Sequence, residues 1–363
     1  MNIEIITTPN EKLKESGFGS LKSCNSVLKS ITKMGHNIRL VVCSTKNDLD
    51  IVVERGPDLV VLAVKYLSFE NENENDVWLS DYFAKHKINY TGSSIETLKF
   101  DSDKVLAKLH LKGKGIKTAN YFTAIPGQYK SEKELPILFP LFLKPIDAAN
   151  GNGIDDLSYV RNFTEFESKI LSLHDSFKLP ILVEEYLDGK EFTVSVIETS
   201  NAELIVSPIE IIPLLSTNGL RILGQKAKKD DSEELKKVEN NMKIKLIQLA
   251  TDAYKGLGVR DFGRIDIKTN KEGECFFMEA NLVPGMTDGS SYFPKACEIE
   301  SELTYDKVIE LMLSEGLNRI PYTLPSDINT IVNLNEVLPS LNPVLDSLNH
   351  VEFPAHEIVA YPA

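Results

Sequence analysis

The sequence predicts an α/β protein built from two or three packed units, and three observations carry that prediction. The chain has 363 residues, more than one hydrophobic core ordinarily organises. Its first hundred residues alternate short apolar strands with amphipathic helices, the pattern of a parallel sheet covered by helices. Near the other end, two strand-like stretches flank a turn and carry paired polar residues beside apolar ones.

The elements follow in order. Residues 3–7 (IEIIT) read as a first strand, 20–35 as an amphipathic helix ending at Gly35, 37–43 as a second strand and 57–64 as a strongly apolar third. A helix over 76–87 and a strand running into a turn at 88–94 follow, with the acidic stretch 70–77 as a surface loop. A new unit begins near 101 with a helix over 101–116, which has a Ser/Asp start and a Gly stop. The strand PLFLKPID at 140–147 leads into the glycine-rich AANGNGIDD, and 163–175 is helical. Residues 180–198 read as two strands around a turn. The last unit has a strand at 205–213, a polar loop, a long helix over 232–258, and neighbouring strands at 259–269 and 274–281. Residues beyond about 320 are rich in Pro and Asn.

Composition removes several classes of function. The longest apolar stretch, LPILFPLFL, falls far short of the ~18 residues of a membrane helix, and the N-terminus lacks the basic-then-apolar pattern of a signal peptide. Cys24, Cys43, Cys275 and Cys297 are scattered without a CxxC pair, which favours free thiols in a reducing cytosol. A net charge of −13 argues against binding along a nucleic-acid backbone. The six histidines have no metal-like spacing, and neither G-x-S-x-G nor a Walker sequence is present.

Chemistry concentrates in two short stretches. In FFMEANLVPGM, 276–286, Glu279 and Asn281 follow three large apolar residues and precede a Pro-Gly turn. Strand side chains alternate, so Glu279 and Asn281 share a face, as do Arg264 and Asp266 in GRIDI. Pairing of the two strands through NKEGE would bring Asp266, Glu279 and Asn281 together beside Arg264. Hard oxygen donors of this kind suit Mg2+ and not zinc. An ordinary polar sheet face, with Arg264 neutralising two carboxylates, is the alternative. Gly285 tilts the balance, because a glycine admits close approach to a backbone N–H that can hold an oxyanion.

Other residues read as nucleotide handling. Lys144 ends an apolar strand and Lys104 starts a helix; each is a phosphate contact or a solvated surface lysine. The loop NGNG offers backbone amides to phosphates. Glu184 and Glu191 bracket apolar residues that fit adenine and ribose, although a hairpin with charged ends would have the same sequence.

In combination and in order, INYTGSS, SDKVLAKLHLKGKGI, FLKP, ILVEEYLDGKEFTV, GRIDI and FFMEANLVPGMT resemble the ATP-grasp superfamily, in particular its D-alanine–D-alanine ligase group. The likeness runs over roughly residues 1–320. It implies a three-domain α/β fold, α+β in the ATP-binding part. An N-terminal parallel-sheet domain (1–100), a central ATP-grasp subdomain (101–190) and a C-terminal catalytic domain (191–320) would be followed by an extension, 321–363. The implied activity is ATP-dependent carboxylate–amine ligation through an acyl phosphate, with ADP and phosphate released.

By the same resemblance, Lys104 and Lys144 would hold phosphates, while Glu184, the hinge Glu185, Tyr186 and Leu187, and Glu191 would hold adenine and ribose. Asp266, Glu279 and Asn281 would bind two Mg2+, with Mn2+ as a substitute. Arg264 and the Gly285 amide would stabilise the tetrahedral intermediate, and Ser290 or Ser291 would meet the incoming amino acid's carboxylate. The polar, basic stretch 214–234 is the expected lid over a water-sensitive acyl phosphate, with Lys228 or Lys226 as a further phosphate contact. The implied partners are a small-molecule acid, an amino acid and a second copy of the chain, in the cytoplasm, with no nucleic acid or membrane.

The sequence departs from the group's pattern where the first substrate is recognised. The group carries an acid for the substrate ammonium in a Glu-x-x-Val-Ser-like stretch; here ESGFGSLKS places Phe18 near that position, and Glu15 reaches it only after a shift. Paired serines of the central loop become Asn150 and Gly151, a Gly-Glu-Asp-Gly stretch becomes 70–77, and the lid has no Tyr. A ligase joining a different acid to an amino acid, in natural-product or peptide biosynthesis, is therefore the alternative. A non-catalytic ATP-binding regulator is the rival from another class.

Overall fold

Apolar runs of four to six residues are too short to bury themselves and must share sheets. The computed structural model describes residues 1–9, 13, 18–68, 76–148, 151–216, 219–224 and 232–320. Strands β1 (Asn2–Thr7), β2 (Asn37–Val42) and β3 (Leu59–Leu62) pair in parallel in the order β2-β1-β3. Helix α1 (Leu21–Lys33) starts at Ser20, whose hydroxyl accepts from the Ser23 amide. Helix α2 (Lys46–Arg55) is an addition to the elements expected from the sequence; a Thr45/Asp48 capping box and a left-handed Gly56 mark its ends. The helix expected over 76–87 is shorter. β4 (Tyr66–Leu67) pairs with β5 (Val77–Trp78), and α3 (Leu79–Lys85) follows. The strand expected at 88–94 reduces to one bridge between Tyr90 and Val60.

Helices α4 (Ile95–Ser102) and α5 (Lys104–Gly113) lead to a second sheet. The Asp103 carboxylate caps α5 by accepting from the Val105 and Leu106 amides at 2.9 Å each. The second sheet is antiparallel, from β6 (Tyr121–Ala124), β7 (Leu141–Pro145), β8 (Tyr159–Val160) and β9 (Ile181–Glu185), in the order β6-β9-β7-β8. Helix α6 (Phe163–Phe177) packs on it through Phe166, Ile170 and Leu173.

A third sheet, also antiparallel, takes β10 (Glu191–Glu198), β11 (Leu204–Ile212), β12 (Glu234–Lys237), β13 (Phe262–Thr269) and β14 (Cys275–Asn281) in the order β12-β11-β10-β13-β14. Helix α7 (Asn240–Leu257) covers its apolar face through Leu246, Ala250 and Tyr254.

Two expectations are corrected here. Residues 180–198 are two strands, but β9 and β10 lie in different sheets, so the turn between them is a crossover. The helix expected over 232–258 begins at Asn240, because edge pairing of β12 with β11 overrides the helical preference of SEELKK.

Helices α8 (Tyr292–Ser301) and α9 (Tyr305–Asn318) return to the first sheet. Phe293, Val308 and Met312 share one core with Ile3, Ile5, Val27 and Leu59. No helix among the described residues is long and apolar enough to cross a membrane.

Candidate active site

The pairing of β13 with β14 sets the polar residues of the two strands against one another. Arg264 lies opposite Asn281 and Asp266 opposite Glu279. Directly opposed side chains share a face, so these four gather on one side while Ile265, Ile267, Phe277 and Ala280 are buried in the core. The register then shifts: Ile267 pairs with Phe277, and Met278 is the extra residue of a β-bulge. The bulge accommodates three consecutive apolar residues before Glu279, with Phe277 in the core and Met278 lining the cleft.

Arg264 grips Asp266 with both arms, Nε to Oδ1 at 3.0 Å and Nη2 to Oδ2 at 3.1 Å. Thr193 Oγ1 donates to Asp266 Oδ1 at 2.6 Å, and Asn281 Nδ2 donates to Oδ2 at 3.0 Å. Burial disfavours the Arg264 charge, but Asp266 and Glu279 outweigh it and raise its pKa above the ordinary value. The guanidinium also lies over the Tyr292 ring, 5.5 Å from its centroid.

Opposite this face stand the lysines. Lys104, at the start of α5, donates to the Ala148 carbonyl at 2.7 Å and lies 3.3 Å from Glu279 Oε2. Lys144, at the end of β7, lies 2.7 Å from Glu184 Oε2, and Lys108 lies 2.6 Å from Glu184 Oε1. Neither Lys104 nor Lys144 is a solvated surface residue; both are buried. Burial opposes the Glu184 charge, yet Lys108 and Lys144 overcome it and hold the carboxyl below its ordinary range. Burial also lowers Lys108, which Glu184 offsets only in part with Lys144 nearby. Lys144, with both Glu184 and Glu279 acting on it, is raised despite its burial.

Between the second and third sheets runs a cleft. Phe142, Tyr186, Leu187, Leu223 and Met278 supply apolar walls, and Lys104, Lys144, Glu191, Asp266, Lys268 and Glu279 supply polar ones. The crossover from β9 to β10 carries Tyr186 and Leu187, two of the residues expected as the hinge. The Tyr186 amide donates to the Pro140 carbonyl at 3.1 Å, and the Tyr186 ring meets Tyr159 edge-on, with centroids 4.6 Å apart. The Glu185 carboxylate is turned to Asn120, accepting from its amide nitrogen at 2.8 Å and its Nδ2 at 3.0 Å. Gly189 passes so close to β13 that an added Cβ would sit 2.3 Å from Thr269 Oγ1; only glycine permits that approach. Glu191 pairs with Lys268 at 3.3 Å.

The structure therefore brings Lys104, Lys144, Glu184, Glu185, Tyr186, Leu187, Glu191, Asp266 and Glu279 to one cleft, with Arg264 and Asn281 bonded to its edge. Glu184 lines it with both oxygens engaged by lysines. Gly285 lies in the loop after β14. Ser291 Oγ accepts from the Thr287 amide at 2.9 Å, and the Ser290 amide donates to the Thr287 carbonyl at 3.3 Å. Phe18 is buried in the first core. Lys228, Lys226, Glu15, Asn150, most of the acidic loop and all of 321–363 lie outside the described residues.

Lys108, Thr193, Phe142, Lys268 and Met278 also belong to the site, and none of them is among the residues expected there from the sequence. For Lys108 a signal was present. Lys104, Ala107, Lys108 and Leu111 are buried on α5, a spacing of i, i+3, i+4 and i+7 that marks the inward stripe of a helix.

Asp266, Glu279 and Asn281 fit a hard divalent cation. With Asn281 Nδ2 turned to Asp266, its side-chain carbonyl is the third member of an all-oxygen set on one face. Among the described residues no three His, Cys, Asp or Glu side chains gather as a metal cluster; here the third donor is an asparagine.

A family model described as D-ala D-ala ligase C-terminus matches residues 110–314. A D-alanine–D-alanine ligase from Marinomonas sp. is 32% identical over 307 residues, covering 83% of this chain and 92% of its own length. One from Carboxydothermus hydrogenoformans is 26% identical over 313 residues, covering 82% and 93%. Among solved structures, the D-alanine–D-alanine ligase from Bacillus anthracis complexed with ATP gives a TM-score of 0.67 at 22% identity, covering 88% of this chain and 98% of that one. The VanG D-Ala:D-Ser ligase from Enterococcus faecalis gives 0.64 at 20% identity, covering 87% and 98%. The two structural likenesses concern the fold.

Proposed function

Because the chain belongs to the D-alanine–D-alanine ligase family of ATP-dependent, ADP-forming carboxylate–amine ligases, we propose that it joins a small carboxylic acid to an amino acid in the cleft between the second and third sheets. D-alanine is the first candidate for both substrates, since the sequence relatives carry that activity in their names. The observation that carries the reading is the single polar face of β13 and β14, set opposite Lys104 and Lys144. We retain the division into 1–100, 101–190 and 191–320, one principal sheet to each segment and the two-stranded β4-β5 sheet besides in the first, with α8 and α9 completing the core of the first.

ATP enters as a substrate. The apolar slot of Phe142, Tyr186, Leu187 and Met278 suits adenine, Glu191 suits the ribose hydroxyls, and Lys104 and Lys144 suit the phosphates. Asp266, Glu279 and Asn281 are the residues to hold Mg2+, two ions in this reading. When bound, Mg2+ neutralises phosphate charge and orients the terminal phosphoryl group. The substrate carboxylate oxygen attacks the γ-phosphorus and ADP leaves. The amine nitrogen then attacks the acyl carbon and phosphate is expelled, the nitrogen losing one proton and keeping the other as the amide N–H. Arg264 and the Gly285 amide face the oxyanion of that second step. Ser291, whose hydroxyl proton remains available while its oxygen accepts from Thr287, is the better placed of the two serines for the incoming carboxylate. Lys228 belongs to the proposed lid.

A second reading, ligation of a different acid, is favoured by Phe18. Its ring is buried in the first core, and in sequence it falls near the position where the group's ammonium-binding acid is expected. Both readings meet one experiment: screening acid and amine pairs, D-alanine first, for ADP release with mass spectrometry of the product. ADP release that requires both partners supports ligation. Phosphate release indifferent to any amine overturns it.

A further inference from the structure

Lys108 has no exposed side-chain surface, so it is not positioned to touch a ligand. It nevertheless reaches two elements that carry the site. Its ammonium lies 2.6 Å from Glu184 Oε1 on β9 and donates to the Phe277 carbonyl on β14 at 3.3 Å. These strands belong to different sheets, one contributing the anchor of Lys144 and the other the bulge that precedes Glu279.

Stability alone does not require a lysine there. A fully buried ion pair is weak support for a fold, and an apolar side chain of similar volume often serves as well. An ammonium adds direction: several donors on one atom can fix acceptors in two sheets at once. Without it, Glu184 would keep Lys144 as its only cation among the described residues, free to take that ammonium with both oxygens and draw it back from the cleft. The Phe277 carbonyl, one residue before the bulge, would lose its cross-sheet donor.

We propose that Lys108 is a positioning residue that couples the two walls of the cleft, holding Lys144 forward through Glu184 and the aim of Glu279 through the Phe277 carbonyl. The inference rests on the reading of Lys144 and Glu279 as phosphate and metal contacts. Its signature is a joint loss, in nucleotide affinity and in the response to Mg2+, from one residue that contacts neither.

The test is calorimetric titration of ADP into the full chain, with and without Mg2+, for wild type and Lys108→Met. No acid or amine substrate is needed. The expected result is nucleotide affinity weakened about tenfold and a smaller gain on adding Mg2+, in the range seen when groups that orient ligand-binding residues are removed, with an unchanged circular dichroism spectrum. Wild-type affinity and an unchanged Mg2+ response in the variant overturn the proposal. So does a loss of affinity with the full Mg2+ gain preserved, since the two walls are then independent. Should Lys108→Met not accumulate as folded protein, Lys108→Gln retains amide donors and takes its place, with values between the two expected and wild-type values overturning the idea. Wild type that binds no nucleotide at all overturns the ligase reading itself.

Discussion

On the wall formed by β7, β9 and α5, the Glu184 side chain is 1% exposed and both of its oxygens are held by lysines that are themselves buried. On the wall formed by β13 and β14, the side chains of Asp266 and Glu279 are 14% and 22% exposed and lean on Arg264 and Lys104. The Glu184 carboxylate of the first wall is satisfied internally, with neither oxygen left for an incoming cation. The second holds carboxylates at the edge of solvent, paired with cations that an incoming divalent ion can replace. The difference teaches that a row of charged side chains within a sheet can serve as a frame or as a socket, and that solvent access separates the two.

That contrast can be broken by substitution, and the largest effect is on turnover. Glu279→Ala should reduce acid- and amine-dependent ADP release by about a thousandfold or more, at least the scale of losing a principal electrostatic contact in a reaction. Its melting temperature should stay within a few degrees, because a partly exposed side chain is removed. Normal turnover would remove Glu279 from the socket.

Glu184→Ala should do the reverse in kind, lowering unfolding free energy by about 3–5 kcal/mol in urea titrations, because two buried lysines lose their carboxylate. A cost below about 1 kcal/mol, the range of exposed pairs, would erase the distinction between the walls.

A third effect is acid dependence. Glu184 is held below its ordinary value of 4.5 by the two lysines, against its burial. Its contribution is therefore complete above that value and is lost as pH falls through the depressed folded one. Melting temperatures taken from about pH 6 to about pH 3 should fall, and less steeply in Glu184→Gln, which has no proton to take up there. Parallel curves would contradict the depressed carboxyl.

The smallest effect is a control on the surface. Lys117 and Glu274 lie 2.9 Å apart with side chains 60% and 51% exposed. Lys117→Ala should change stability by less than about 0.5 kcal/mol in the same titrations. A cost as large as that of Glu184→Ala would mean that burial does not set the scale.

Much of this arrangement was legible in the sequence because it depends on local periodicity. GRIDI and MEAN alternate polar and apolar residues, so their common face followed from the geometry of a strand. Lys104, at a helix start capped by Asp103, was likewise readable. What escaped depends on partners distant in sequence. ELKK is helical by propensity and a strand by pairing with Ile209–Ile212. ILVEEYLDGKEFTV contains turn residues between two strands, and nothing local reveals that the strands join different sheets. Lys108 reads locally as one of several lysines on a helix, because its partners, Glu184 and Phe277, lie 76 and 169 residues away. The bulge was hidden for a related reason: an extra residue is visible only against the strand it fails to match.

Met278 has a further consequence for changes of chain length. Its removal alone would restore strict alternation, leaving Phe277 inward and Glu279 outward, so β14 can lose a residue there without reversing its flanks. Loss of any single residue from Gly263 to Ile267 would exchange inward and outward sides along the rest of that strand. One arm of the hairpin thus has slack for a deletion and the other has none. Relatives that differ by one residue in this region would be expected to differ on the arm that ends at Asn281.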